Sequence, residues 1–320
     1  MQKNPDGSSM FFERRFVILG PQPQFQSLNQ TLQRLEIQGP LALVTAGWEE
    51  DEAQDQEIHE AVPNRIFNLN LFQRTESLFA EEPEIIRLLQ ERQDKLRHLR
   101  DVYRMRLGLA IKAAQETRAT ESELVRFDVE CESSLEMIRQ IDRQYYLRTT
   151  QICDEYEMRL QLDRRARVMR HRTELQVLLD GVEALLIAGG HAAIILNRLR
   201  IFALLELNLH LPVIAWSGGA MALADQIVFY HDFLPQGDSN PEVLRAGMGC
   251  LEHLLPLPDA RNRLRLDDRR QMSMFAERFS NYDCVLFDEH CWVESHGGRW
   301  QASRDTQRLE RSGQLTRYTA

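Results

Sequence analysis

Short apolar runs alternate with amphipathic stretches over the first eighty residues. Phe16-Val-Ile-Leu-Gly20 stops at a Gly-Pro step and predicts a buried strand. Ser27 to Ile37 carries Leu28, Leu32 and Leu35 at helical spacing. Leu41-Ala-Leu-Val-Thr45 predicts a second strand, stopped by Ala46-Gly47-Trp48, and the alternating Arg65-Ile-Phe-Asn-Leu-Asn-Leu-Phe72 a third. Strands separated by helices imply parallel pairing through helical crossovers.

From Pro83, well placed in a first helical turn, no proline occurs until Pro212. Ile85, Leu89, Leu96, Leu99, Tyr103, Ala110 and Ala113 follow a 4-3 spacing, with Arg92 and Arg106 in the same stripe. A second stripe runs through Leu124, Phe127, Cys131, Leu135, Ile138, Tyr145, Ile152 and Tyr156, and Thr120-Glu-Ser-Glu123 between them predicts a capping box. The pattern is that of two antiparallel helices, a coiled-coil hairpin inserted into the α/β domain. A helix of about 35 residues would project roughly 50 Å.

Alternation resumes with a strand at Ala184-Leu-Leu-Ile-Ala188, ended by Gly189-Gly190. A helix is predicted over His191–Leu207, then strands at Val213–Trp216 and Gln226–Tyr230, an amphipathic helix over Asp267–Phe279 and a late strand at Asp283–Phe287. The fold class is α/β, a mostly parallel sheet flanked by helices with a long α-helical hairpin inserted. The division is 1–82 with 174–300 as one discontinuous α/β domain, 83–173 as the arm, and 301–320 as a loose polar tail.

Composition changes this picture little. The 320 residues are 43% hydrophobic and 27% charged, an ordinary globular balance. No run of about 18 apolar residues exists, so no membrane partner is expected. The start, Met1-Gln-Lys-Asn-Pro-Asp-Gly-Ser-Ser9, lacks the apolar centre of a signal peptide. Five scattered cysteines suit a reducing cytoplasm better than a disulfide framework. The net charge of −9 argues against a general nucleic-acid binder. Charge also separates the parts: Glu84 to Arg172 holds 19 basic and 16 acidic residues, the remainder 20 and 32.

Candidate chemistry centres on Pro212-Val-Ile-Ala-Trp-Ser217-Gly-Gly-Ala-Met221, an apolar strand running into a small-residue turn with a serine at its tip. Such a turn is the sequence form of a nucleophile elbow, in which small neighbours permit the strained angles that expose a hydroxyl. Small residues at a strand–helix turn also serve close backbone approach alone. Serine acyl chemistry needs oxyanion donors as well, here the N–H groups of Gly218 and of the Gly189-Gly190 turn, together with a general base.

The order of these pieces resembles the dipeptidase E and cyanophycinase family of serine peptidases, which share the type 1 glutamine amidotransferase-like fold. The likeness rests on Gly189-Gly190-His191 opening an apolar helix, the Ile214–Ala220 elbow, and a strand ending at Asp232, fifteen residues beyond Ser217. It spans roughly 14–75 and 182–292 and leaves the arm outside. It implies Ser217 as nucleophile, Gly190 and Gly218 at the oxyanion, Asp232 as acidic partner, and a small peptide or amide as substrate, with neither cofactor nor metal. The family places a histidine directly after a proline in a later segment. Here Met248-Gly-Cys-Leu-Glu-His-Leu-Leu-Pro-Leu-Pro258 is followed by Asp259, and Gly218 stands where alanine is usual.

Substitute imidazoles are His191, His231 and His253. The alternative is an inactive amidotransferase-like domain that binds a ligand or a protein partner through its arm, or self-associates through it. His290, Cys291, Glu294 and His296 match no zinc spacing, and a terminal hairpin explains them equally. The basic run Arg164–Arg172 suits a solvated helix face better than a phosphate contact.

Overall fold

The computed structural model describes residues 11–120, 127–231 and 239–319. In chain order the first elements are β1 (Phe16–Leu19), α1 (Gln26–Arg34), β2 (Leu41–Val44), α2 (Gln56–Ala61), β3 (Ile66–Asn68) and α3 (Leu71–Glu81). The arm follows as α4 (Pro83–Thr120) and α5 (Asp128–Leu160), then α6 (Ala166–Asp180). Next come β4 (Ala184–Ile187), α7 (Ala192–Ile201), α8 (Leu204–Leu207), β5 (Val213–Trp216), α9 (Gly218–Leu223), β6 (Gln226–His231) and β7 (Ser239–Ala246). The chain continues through β8 (Leu254–Pro258), α10 (Ala260–Arg263), α11 (Arg269–Arg278), β9 (Asp283–Phe287), β10 (Trp292–His296), β11 (Arg299–Ala302), β12 (Gln307–Leu309) and β13 (Leu315–Arg317).

The central sheet has the order β11-β10-β1-β5-β4-β2-β3, with β1, β5, β4, β2 and β3 parallel and β10 and β11 antiparallel at one side. Its parallel strands read as unbroken apolar runs because both faces are covered. Val17, Leu43, Leu186 and Ile214 face α1 and α2 through Leu28, Leu32 and Ile58. Phe16, Val44, Ile187 and Ala215 face the opposite core, which continues into the arm. Each fully buried aliphatic side chain contributes about 1.5–3 kcal/mol. The protein is thus an α/β fold with a mostly parallel sheet, flanking helices and a long helical pair.

Several elements depart from the pattern reading. The third strand is only three residues long, because the buried Glu52 carboxylate accepts from the N–H groups of Phe72 and Gln73 at 2.8 and 2.9 Å and so starts a helix there. The helix predicted over His191–Leu207 is split at Ala203, which has φ 49°. β6 lies outside the central sheet and pairs antiparallel with β7. A separate sheet runs β13-β12-β9-β8, with β8 and β9 parallel. β8 is an edge: Asp259 N donates toward β9, so the alternate positions Pro256 and Pro258 face outward with no N–H to offer.

The last twenty residues are not a loose tail. They supply β12 and β13, and Thr306, Leu309 and Tyr318 are buried. Nor does the arm project freely. α4 and α5 pack on each other, but their apolar faces join the main core and α5 lies along β7 and α11. The predicted capping box after Thr120 falls outside the described residues. The basic run is engaged at the root of the arm, where Arg165 pairs with Glu82 and Glu84, and Arg167 with Glu81. Among the described residues no disulfide forms. Among the described residues no helix is long and apolar enough to cross a membrane.

Candidate functional site

In a parallel sheet, loops at the carboxyl ends of the strands share one edge. β5, β4 and β2 are neighbours, so Ser217, Gly189-Gly190 and the loop after Val44 meet there. Ser217 links β5 to α9 with φ 50° and ψ −122°, a region that costs a non-glycine residue about 1–3 kcal/mol. Its side chain is half-buried, and its hydroxyl has no hydrogen-bond partner among the described residues.

Glycines make the close approach possible. A Cβ on Gly189 would stand 2.9 Å from Ser217 Cβ, and one on Gly218 would stand 2.1 Å from the Gly190 carbonyl oxygen. Gly190 has φ +106°, and a Cβ there would lie 2.4 Å from Gly47 O. His191 N donates to that same Gly47 oxygen at 2.9 Å, tying the β2 and β4 loops together. The N–H groups of Gly190 and Gly218 enter no hydrogen bond among the described residues. Glycine at 218 therefore has a local cause, the Gly190 carbonyl.

The β2 loop is braced from behind. Thr45 Oγ1 and Asn68 Nδ2 both donate to the Glu52 carbonyl, at 2.8 and 3.1 Å. Burial raises the pKa of the Glu52 carboxyl, partly offset by the helix N–H groups it accepts. Within this loop Glu49 takes φ 58° and ψ −121°, nearly the angles of Ser217. Pattern reading passed over Gly47 and Glu49. A glycine shortly after an apolar strand was the available signal for the first; none existed for the second.

The other predicted residues are less concentrated. Asp259 heads α10 with φ 58°, and its carboxylate is taken by Asn262 at 2.7 Å and Arg263 at 3.5 Å on its own helix. His253 lies at the opposite end of β8, beside Asp225, whose pKa burial raises. Five strand residues span roughly 17 Å, so no small loop shift brings His253 to the position of Asp259. His191 is exposed at the head of α7, next to Gly190. His231 ends β6, and Tyr230 Oη donates to Pro258 O at 2.8 Å, which holds the ends of β6 and β8 together. Asp232 lies outside the described residues. Ser217, Gly190 and Gly218 thus come together, while the Asp259 carboxylate is engaged by its own helix.

No family model matches the chain, and no curated protein does. Solved structures to which it is similar include one that matches along nearly its whole length. That structure, from Listeria monocytogenes EGD-e and provisionally described as a peptidase E protein, aligns at 11% identity and a TM-score of 0.43, over 91% of this chain and 98% of that one. A likeness at that level carries no argument.

The remaining clusters from the sequence are structurally occupied. Arg15 and Arg34 both pair with Glu294, and the Cys291 thiol faces the Asp305 carbonyl at 3.6 Å. Among the described residues no group of three metal-ligating side chains forms. A groove of about 510 Å³ lies on the arm, floored by Leu99, Tyr103 and Ile141, and does not include Ser217.

Proposed function

We propose that this chain carries a serine acyl-transfer site on a type 1 glutamine amidotransferase-like scaffold of the dipeptidase E and cyanophycinase kind, acting on the amide bond of a small peptide or related substrate. One observation carries the reading: a serine held at φ 50° beside two glycine N–H groups that no acceptor among the described residues uses. Ser217 Oγ attacks the carbonyl carbon, and Gly190 and Gly218 donate to the oxygen as it gains charge, which is where such donors act. His191 takes the serine proton in this reading, since it follows Gly190 directly and its ring is exposed at the same edge. Asp232 is the acidic partner that orients it.

A fluorophosphonate probe tests the assignment. Stoichiometric labelling should be abolished in Ser217→Ala and slowed about 100-fold or more in His191→Ala, the usual loss for a positioned base. Absence of labelling at millimolar probe would overturn it.

A second reading is favoured by Asp259. Its carboxylate, bound to Asn262 and Arg263, stands where the resembled family has its histidine. In this reading the site no longer hydrolyses, and the domain binds a ligand or engages a protein through the arm. Labelling that appears in Asp259→His but not in the natural chain selects it.

A further inference from the structure

The arm's apolar stripe contains one residue that packing does not explain. Arg92 is 6% exposed, its Nε is buried without an acceptor, and its guanidinium makes no hydrogen bond or salt bridge among the described residues. Arg245 on β7 is 8% exposed and is equally without one. Buried guanidinium groups almost always have acceptors, because an uncompensated buried charge is strongly destabilising.

The two arginines belong to one cluster: they act on each other electrostatically and share Arg200, Glu157 and Cys153 as neighbours, and surrounding contacts fix where it lies. Glu91, adjacent to Arg92, pairs with Arg159 across the arm at 3.1 Å. Arg200, at the end of α7, pairs with Glu157 of α5 at 3.2 Å. The same guanidinium donates to Gly247 O at 2.8 Å and to Ala246 O, the residue after Arg245. Arg92, Arg200 and Arg245 therefore converge where α4, α5, α7 and β7 meet. Three positive charges face the single carboxylate of Glu157 and the buried thiol of Cys153. Burial, together with repulsion between these arginines, lowers the pKa of Arg92 and brings that of Arg245 down to about 10.

We infer that the junction between arm and body is a binding site for a small free oxyanion of the phosphate or sulfate class, held by Arg92 and Arg245 with Arg200 beside them. Planar guanidinium forks match tetrahedral oxyanions, and an anion there supplies the missing acceptors. It would also bridge the arm to α7, the helix whose opposite end carries Gly190 and His191. The inference does not rest on catalysis at Ser217.

Titration of the full chain with sodium phosphate, at ionic strength held constant with sodium chloride, tests it. The expected result is one saturable site per chain by calorimetry and a thermal midpoint that rises with phosphate but not with matched chloride. Arg92→Met and Arg245→Met should each weaken phosphate at least tenfold while leaving the midpoint in chloride equal or higher. Ser217→Ala should bind as the natural chain does; loss of binding there would place the anion at the serine and overturn the inference. Equal midpoints in phosphate and chloride, or unchanged affinity in both arginine variants, would overturn it too. Should either variant fail to fold, amide exchange of the natural chain decides: phosphate must protect the backbone near 92, 157, 200 and 245, and protection confined elsewhere refutes the site.

Discussion

At the scale of single residues, the serine turn depends on what its neighbours lack. Gly218 has room for no side chain because the Gly190 carbonyl would lie 2.1 Å from it. Gly218→Ala should therefore destabilise the protein by about 2 kcal/mol, a typical cost of overpacking. Urea unfolding measures that cost, and the same variant should lose probe labelling because Gly190 must retreat. A second residue-scale expectation concerns His171 on α6. Burial lowers its pKa from 6.5, helped by the nearby Arg74 and Arg170 and opposed by Glu174. A depressed folded value means the unfolded chain takes up the proton first. The stabilising contribution is complete above about 6.5 and is lost as pH falls through the lower folded value. Urea midpoints should drop between pH 7 and 5, and His171→Gln should flatten that component.

At the scale of elements, the arm is fastened rather than merely inserted. Asp142 of α5 accepts from Arg278 of α11 at 2.6 and 2.7 Å and from Tyr103 Oη at 2.8 Å. Val243 N of β7 donates to Tyr103 Oη at 3.0 Å, and Arg278 also reaches Pro241 O at 2.7 Å. Tyr103 and Tyr145 stack with centroids 4.0 Å apart. Burial drives the Tyr103 pKa far upward, so the phenol stays protonated and donates to Asp142. Glu242 adds pairs with Arg100 and Arg104. Breaking a buried pair by removing one partner leaves the other charge stranded, at a cost of about 3–5 kcal/mol. Asp142→Ala should show a loss of that size in denaturant unfolding, with faster amide exchange along both arm helices.

At the scale of the whole molecule, the central sheet, the β13-β12-β9-β8 sheet and the β6-β7 pair share one body, and the end of the chain completes the second of them. β12 covers the outer side of β9, with Gln307, Arg308 and Leu309 opposite Leu286, Val285 and Cys284. Ending the chain after Ala302 would expose that edge and remove the buried Leu309 and Tyr318, a loss on the order of 4 kcal/mol. Against a usual total of about 5–15 kcal/mol, such a chain should aggregate on expression, as size-exclusion chromatography would show.

Local patterns determined much of this protein. Unbroken apolar runs identified β1, β2, β4 and β5, because strands buried on both faces leave no polar position. Proline-free 4-3 spacing marked the arm, and the Trp-Ser-Gly-Gly turn marked the edge where Ser217 sits. Only tertiary structure decided the rest. Glu52 cut the third strand short from twenty residues away, Pro256 and Pro258 closed β8 to a further neighbour, and the polar final segment became strand by pairing with β9. Arg92 looked like an interruption of an apolar stripe until Arg245, 153 positions along the numbering, was seen to face the same junction. Periodicity reports how a segment meets its immediate surroundings; partners distant in sequence are set only when the chain folds back upon itself.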